Sequence, residues 1–144
     1  MSLRAIAIVF VLGLWSRPAG ARCSEFCSCN WERDPAKAKT AASVVVSGTA
    51  LDSTLSSPKA VDRGRETYRV RVVVRDRWKG SVPDTIMVRT ADPAGGCGFW
   101  FERDQQYLLF LHRDSGGALW ATMCSLSQPF SRATNVVRAL GRPS

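Results

Sequence analysis

Three of the chain's five cysteines, Cys23, Cys27 and Cys29, crowd into "CSEFCSCNW" (residues 23–31), while Cys97 and Cys124 stand alone far downstream. That distribution constrains the fold more than any other feature, because a cross-link from the cluster to a distant cysteine would hold the start of the chain against its second half. What the thiols do depends on the compartment. Residues 1–4 carry one positive charge, residues 5–15 are almost wholly apolar, and "SRPAGA" ends in a small-x-small pattern at Ala21. This is the pattern of a secretory signal peptide cleaved after Ala21. A membrane span needs about 20 apolar residues, more than this run supplies, and Arg22 stands where lipid attachment at Cys23 would need a small residue. The expected organisation is a signal peptide at 1–21 and one domain at 22–144, secreted to the cell exterior or periplasm, of a length suited to a single core. Cysteines that pass through an oxidising route tend to pair, and an odd number leaves at least one over.

Metal and redox roles fit the spacing poorly. Structural zinc sites favour C-x-x-C-like pairs joined by a second pair or by histidines, whereas here three residues separate Cys23 from Cys27 and one separates Cys27 from Cys29. No C-x-x-C redox motif occurs. Cys27 and Cys29 flank a single residue and would bridge each other only under strain. Each therefore looks elsewhere for a partner, and Cys97 and Cys124 are the distant candidates.

The rest of the chain reads mainly as β-strand. "SVVVSGTAL" (43–51) is β-branched and short, and 52–64 is a turn-rich loop. In "YRVRVVVRDRW" (68–78), Tyr68, Val70, Val72 and Val74 fall on one face and Arg69, Arg71 and Arg75 on the other, a period of two that marks a half-buried strand. Further strands are expected at 85–90, 99–101, 106–113 and 118–124, with turn signals between them, as in a small antiparallel barrel or sandwich. Two short helices flank them. Asp34-Pro35 is an N-cap followed by Pro at the first helical position, opening "AKAKTAA", and Ser131 is the expected cap of "RATNVVRAL", which stops at Gly141.

Catalytic signatures are missing from this pattern. His112 is the only histidine, and at the end of an apolar strand it reads as a structural or rim residue. No G-x-S-x-G, H-E-x-x-H, P-loop or Rossmann fingerprint occurs, so neither an enzyme nor a resident cofactor is expected. The formal net charge of +8 favours acidic surfaces in general. The three arginines of 69–75 read first as a solvated strand face and second as a polyanion patch.

Five ordered motifs carry a family resemblance: Cys27-Ser28-Cys29, Trp78-Lys79-Gly80, "TADPAGGCG" (90–98), Gln106-Tyr107-Leu108-Leu109 and "CSLSQPF" (124–130). Together they resemble the inhibitory domain of the tissue inhibitors of metalloproteinases and, more widely, the netrin-type module, over residues 23–141. The resemblance implies an OB-like, five-stranded Greek-key barrel with two short flanking helices and a disulfide-stapled N-terminal segment. It also implies bridges Cys27–Cys97 and Cys29–Cys124, leaving Cys23 unpaired and without an assigned role, and a rigid ridge built from Cys27, Ser28, Cys29, Asn30, Gly95, Gly96 and Cys97. In such inhibitors the ridge enters a protease cleft. The α-amine and carbonyl of the first cysteine chelate the catalytic zinc at its open position, and the next residue, here Ser28, points into the specificity pocket. The metal belongs to the target, so the domain itself holds none.

Two departures shape the functional expectation. Cleavage after Ala21 would leave residues 22–26 ahead of Cys27, which then has no free amine, and "AKAKTAA" lacks the cysteine of the family's third bridge. The first expectation is a secreted metalloendopeptidase inhibitor acting through the ridge on a zinc metalloprotease. The alternative is a non-inhibitory netrin-like module that holds another extracellular protein or, weakly, a polyanion. Neither a nucleic acid nor, after leader cleavage, a membrane is an expected partner.

Overall fold

The sheet of this protein closes on itself because its first strand, too, is paired along both edges. The computed structural model describes residues 27–30, 32–62 and 65–144. In chain order these form α1 (Pro35–Ala41), β1 (Val44–Ala50), β2 (Lys59–Asp62), β3 (Arg65–Lys79), β4 (Thr85–Ala91), β5 (Gln106–Arg113), β6 (Leu119–Ala121), β7 (Gln128–Pro129), a 3-10 turn (Phe130–Arg132) and α2 (Thr134–Leu140). β1 pairs antiparallel with β3 along one edge and with β5 along the other. β3 pairs with β4, β4 runs parallel to β6, and β6 pairs back to β5. The circuit β1-β3-β4-β6-β5 is a closed, five-stranded OB-like Greek-key barrel, the architecture that the resemblance implies.

Closure requires β1 to bend. Its register with β3 shifts between Val45 and Val46 and again between Ser47 and Gly48, the irregularities by which strands coil. Gly48 lies at the second shift, where a Cβ would come within 2.6 Å of Val72 Cγ1 and 2.7 Å of the Val73 carbonyl oxygen. Only glycine lets the two backbones approach this closely. Beside it the fully buried Ser47 donates to Asp76 Oδ2 at 2.7 Å and accepts from the Asp76 N–H at 3.2 Å, which satisfies its hydroxyl across the irregular pair.

Apolar patterning determines what covers each side. Along β5, Tyr107, Leu109 and Leu111 join Val44, Val46, Val70, Val72, Ile86, Val88 and Leu119 inside the barrel. The alternate residues Leu108 and Phe110 join Val45 and Trp78 in a second, outer core against Ala38 and Ala42 of α1 and its end, and Ala133 and Leu140 at α2. The unbroken apolar stretch at 107–111 thus marks a strand covered on both faces. β3 instead alternates, with Val70, Val72 and Val74 inward and Arg69, Arg71 and Arg75 exposed. Each buried aliphatic side chain contributes about 1.5–3 kcal/mol, so this pattern sets which way each strand faces.

The helix ends are held by different means. Asp34 caps α1 as expected, accepting from the N–H groups of Ala36 at 2.8 Å and Lys37 at 3.1 Å. At the other end of α1, Lys79 Nζ reaches from β3 to donate to the carbonyls of Lys39 (2.9 Å) and Thr40 (2.7 Å). Trp78 Nε1 donates to the Gly141 carbonyl at 2.8 Å and so ties β3 to the end of α2.

Four expectations are corrected. Residues 52–64 are not loop throughout: β2 pairs with the first residues of β3, from Lys59↔Tyr68 to Asp62↔Arg65, because β3 begins earlier than expected and offers a free edge. Residues 99–101 form no strand. Only Gly98 makes a bridge, to Thr122, while Phe99 and Phe101 turn into the barrel and meet Tyr107 edge to face, at centroid distances of 5.4 and 5.2 Å. The strand expected at 118–124 is shorter, Leu119–Ala121, as the chain turns toward Cys124. Ser131 caps nothing: it lies exposed in the 3-10 turn, and α2 starts after Ala133 without a side-chain cap. The fully buried Ala133 holds that end by packing. The signal peptide expected at 1–21 lies outside the described residues.

Gly48→Ala is expected to cost about 3 kcal/mol or more, because the obstructing Val73 carbonyl belongs to the backbone and cannot swing aside. Urea unfolding followed by circular dichroism measures the loss.

Candidate binding ridge

The two distant cysteines come together because the crossover after β4 and the exit from β6 run side by side. The Cys97 carbonyl accepts from the Met123 N–H at 3.1 Å and from Thr122 Oγ1 at 3.0 Å. Thr122 Oγ1 in turn accepts from the Cys124 N–H at 3.2 Å. On this stitched platform Cys27 is bonded to Cys97 and Cys29 to Cys124, with Cα separations of 5.5 and 5.1 Å. The pairing is the one implied by the resemblance. With both cysteine side chains tied down and partly buried, the alternate residues Ser28 and Asn30 are exposed.

The neighbouring strand of the ridge is equally constrained. Asp92 closes a turn: its Oδ1 accepts from the Ala94 N–H at 3.0 Å and its carbonyl from the Gly96 N–H at 2.7 Å. Gly95 and Gly96 sit exposed on that turn. Cys97 follows with a left-handed backbone, φ 59°. Gly98 must be glycine, because a Cβ there would overlap the Ala91 carbonyl oxygen. The fully buried Thr90 then accepts from the Phe99 N–H at 2.6 Å and anchors the segment to β4. The Cys27–Cys97 bridge thus sets Cys27, Ser28, Cys29 and Asn30 beside Gly95, Gly96 and Cys97, the residues of the candidate ridge. Thr90 and Thr122, which hold it, look in the sequence like ordinary strand threonines. Cys23 and Trp31 lie outside the described residues.

Grooves run along both flanks. One of about 520 Å³ is bordered by Arg65, Glu66, Asp92 and Cys97. Another of about 650 Å³ exposes Trp100 and Met123, which keep 46% and 37% of their surface. His112 is exposed at the end of β5, opposite Trp120. Beyond it, Asp114 organises the β5–β6 turn: Oδ1 accepts from the N–H groups of Gly116 and Ala118, both at 2.9 Å, and Oδ2 from Trp120 Nε1 at 2.9 Å. The Trp120 indole bond, followed by the backbone bonds, holds the Asp114 carboxyl below the ordinary aspartate value. Among the described residues no group of three or more His, Cys, Asp or Glu side chains is placed to hold a metal ion. No protein-family model matches the chain, and no curated protein matches it.

The two bridges are coupled. Cys27–Cys97 spans 70 residues and Cys29–Cys124 spans 95; once one is closed, the other restricts a loop of only about 30 residues, so the second adds about 3.6 kcal/mol in the loop-entropy description against about 4.5 for the first. Replacing Cys27 and Cys97 by Ser is expected to lower stability by about 3–4 kcal/mol while the barrel's circular dichroism is kept, since no barrel strand contains either cysteine. Chemical denaturation of the variant tests this.

Asp114 gives a pH signature. Its depressed pKa means that its bonds favour the folded state above the ordinary value of 3.8 and are lost as pH falls through the lower folded value. The Trp120 indole N–H resonance is expected to hold its position from neutral pH to about 4 and to move only below it. Asp114→Ala should place the resonance at its low-pH position at every pH.

Proposed function

We propose that this protein is a secreted, non-enzymatic domain that inhibits a zinc metalloendopeptidase by inserting the Cys27-Ser28-Cys29 ridge into its cleft. The observation that carries the reading is the double staple, which fixes Cys27 and Cys29 side by side and leaves Ser28 presented outward. A segment so restrained loses little conformational entropy on binding. Two intramolecular disulfides suit an oxidising compartment, and no described helix is long and apolar enough to cross a membrane.

In this reading a protease removes residues 22–26 and Cys27 becomes the N-terminus. Its α-amine, neutral in part because such groups titrate near pKa 8, and its carbonyl oxygen occupy the open position of the target's zinc. The water that the metal would activate is displaced. Ser28 enters the adjoining pocket, and Gly95 and Gly96 let the second strand of the ridge approach the cleft wall without side chains.

Residues 22–26 favour a second reading. If they remain, Cys27 has an amide in place of an amine, and the same ridge is then a contact surface of a netrin-like module for another extracellular protein.

Chains beginning at Arg22 and at Cys27, both with oxidised bridges, separate the readings in an assay against zinc metalloendopeptidases. The Cys27 chain is expected to inhibit and the Arg22 chain to lose at least about tenfold in affinity, equivalent to 1.4 kcal/mol. Equal inhibition by both would overturn chelation by the amine, and inhibition by neither would overturn the protease reading.

A further inference from the structure

β2 lies outside the closed circuit of strands. It pairs with β3 along one edge, and along its other edge it pairs with no strand among the described residues. One bond shows which backbone groups that open edge presents. Thr67 Oγ1 donates to the Ala60 carbonyl at 3.0 Å, and Thr67 is the residue opposite Ala60, so the Ala60 carbonyl faces β3. Successive residues of an antiparallel strand direct N–H and C=O to alternate edges. Lys59 and Val61 therefore direct theirs away from β3, where they form a template for another strand.

Folded proteins blunt such edges with a charge, a proline or a bulge. Pro58 stands just before β2, but neither residue directed off the edge protects it. Lys59 Nζ is drawn onto its own hairpin, 3.6 Å from Glu66 Oε2 and 5.3 Å from the centroid of the Tyr68 ring. Val61 is 76% exposed, more than any other large apolar side chain among the described residues. The residues of the edge also select what pairs with it. Two copies of β2 can join antiparallel only in registers that set Lys59 and Val61 against each other or against themselves, since residues directly opposite must both face the partner. Centred on Lys59, the pairing places two lysines directly opposite, which destabilises a strand pair. Centred on Val61, it engages Val61 alone, because the position opposite Lys59 lies beyond the end of β2 at Asp62. Centred on Ala60, it sets Lys59 of each copy opposite Val61 of the other, so the outward N–H and C=O groups of both residues are paired and no charge meets its like directly opposite. The facing lysine's aliphatic stem then covers the Val61 side chain.

We propose that this protein associates with a second copy of itself through β2, in an antiparallel two-fold pairing centred on Ala60. The sheet then runs from β4 through β3 and β2 of one chain into β2, β3 and β4 of the other. Because the contact is isologous, it closes at two chains and does not propagate. A four-residue edge from each chain is a much smaller contact than the about 800 Å² per partner of stable complexes, so the dimer is weak, with a dissociation constant on the order of 0.1–1 mM. The proposal does not rest on the protease reading, and its test reads association alone.

The full secreted chain with oxidised bridges is the sample, carrying Cys23→Ser so that no spare thiol joins two molecules. Sedimentation equilibrium from about 10 µM to about 1 mM is expected to show monomers passing to dimers and to nothing larger. Val61→Pro removes one outward N–H and leaves the Ala60 bond toward β3 in place, so it should weaken association at least about tenfold. Met87→Thr removes an exposed apolar side chain from β4, away from the edge, and should leave association within about twofold. A cross-link reads the register without altering the backbone. The two-fold places Ala60 opposite itself in a non-hydrogen-bonded pair with Cα atoms about 4.5 Å apart, within disulfide reach. Ala60→Cys is therefore expected to give a linked dimer under mild oxidation, and Val61→Cys, whose counterpart lies opposite Lys59, to link far more slowly. This measurement decides the matter if Val61→Pro folds poorly. A chain that stays monomeric to about 1 mM, unchanged association in Val61→Pro, assemblies larger than dimers, or linking of Val61→Cys as fast as that of Ala60→Cys would each overturn the proposal.

Discussion

The double pairing of β1 is the contact on which the rest of the structure depends. A strand that bonds β3 on one edge and β5 on the other converts an open sheet into a barrel, and it does so by coiling through two register shifts with a glycine at the tighter one. Closure brings the inward faces of all five strands around one aliphatic core. It also satisfies both edges of β1, which in an open sheet would present unpaired backbone groups. The aromatic trio Phe99, Phe101 and Tyr107 packs into that interior, and burial raises the pKa of the Tyr107 hydroxyl, which accepts from the Glu102 N–H at 2.8 Å.

The ridge is a consequence of closure. Parallel pairing of β4 with β6 carries the segments after each strand to the same end of the barrel, where the Gly98–Thr122 bridge and the bonds to the Cys97 carbonyl lock them together. The disulfides then transfer that rigidity to residues 27–29, which contribute to no barrel strand. The exposed Ser28 is thereby presented on a segment whose conformation is fixed by covalent bonds to the core.

Closure also divides the outer surface. The helices dock where β1 and β5 present apolar residues outward, and Trp78 and Lys79 pin both helix ends to β3. The arginines of β3 consequently face solvent on the opposite side, where β4 and β5 add Arg89 and Arg113.

Much of this was legible in the residues. The alternation in 68–74 marked one buried face, the unbroken apolar run 107–111 marked a strand, Asp34-Pro35 marked the start of α1, and the ordered motifs implied the barrel and the bridge pairing. These signals are local, or rest on resemblance. The strand character of 59–62 was hidden because those residues become a strand only when β3 supplies an edge. The extended segment 99–101 looked like a strand because aromatic residues that plug a barrel and those that line a sheet have the same composition. The convergence of Arg69, Arg89 and Arg113, and the placing of Thr90 and Thr122 under the ridge, depend on register between strands far apart in the chain. The sequence by itself determined which residues turn inward and which cysteines had to seek distant partners, because burial and covalent reach follow from side-chain type and spacing. Only the tertiary structure decided which charges share a groove and which residues share the ridge, because cross-strand register and barrel closure are set by packing over the whole domain.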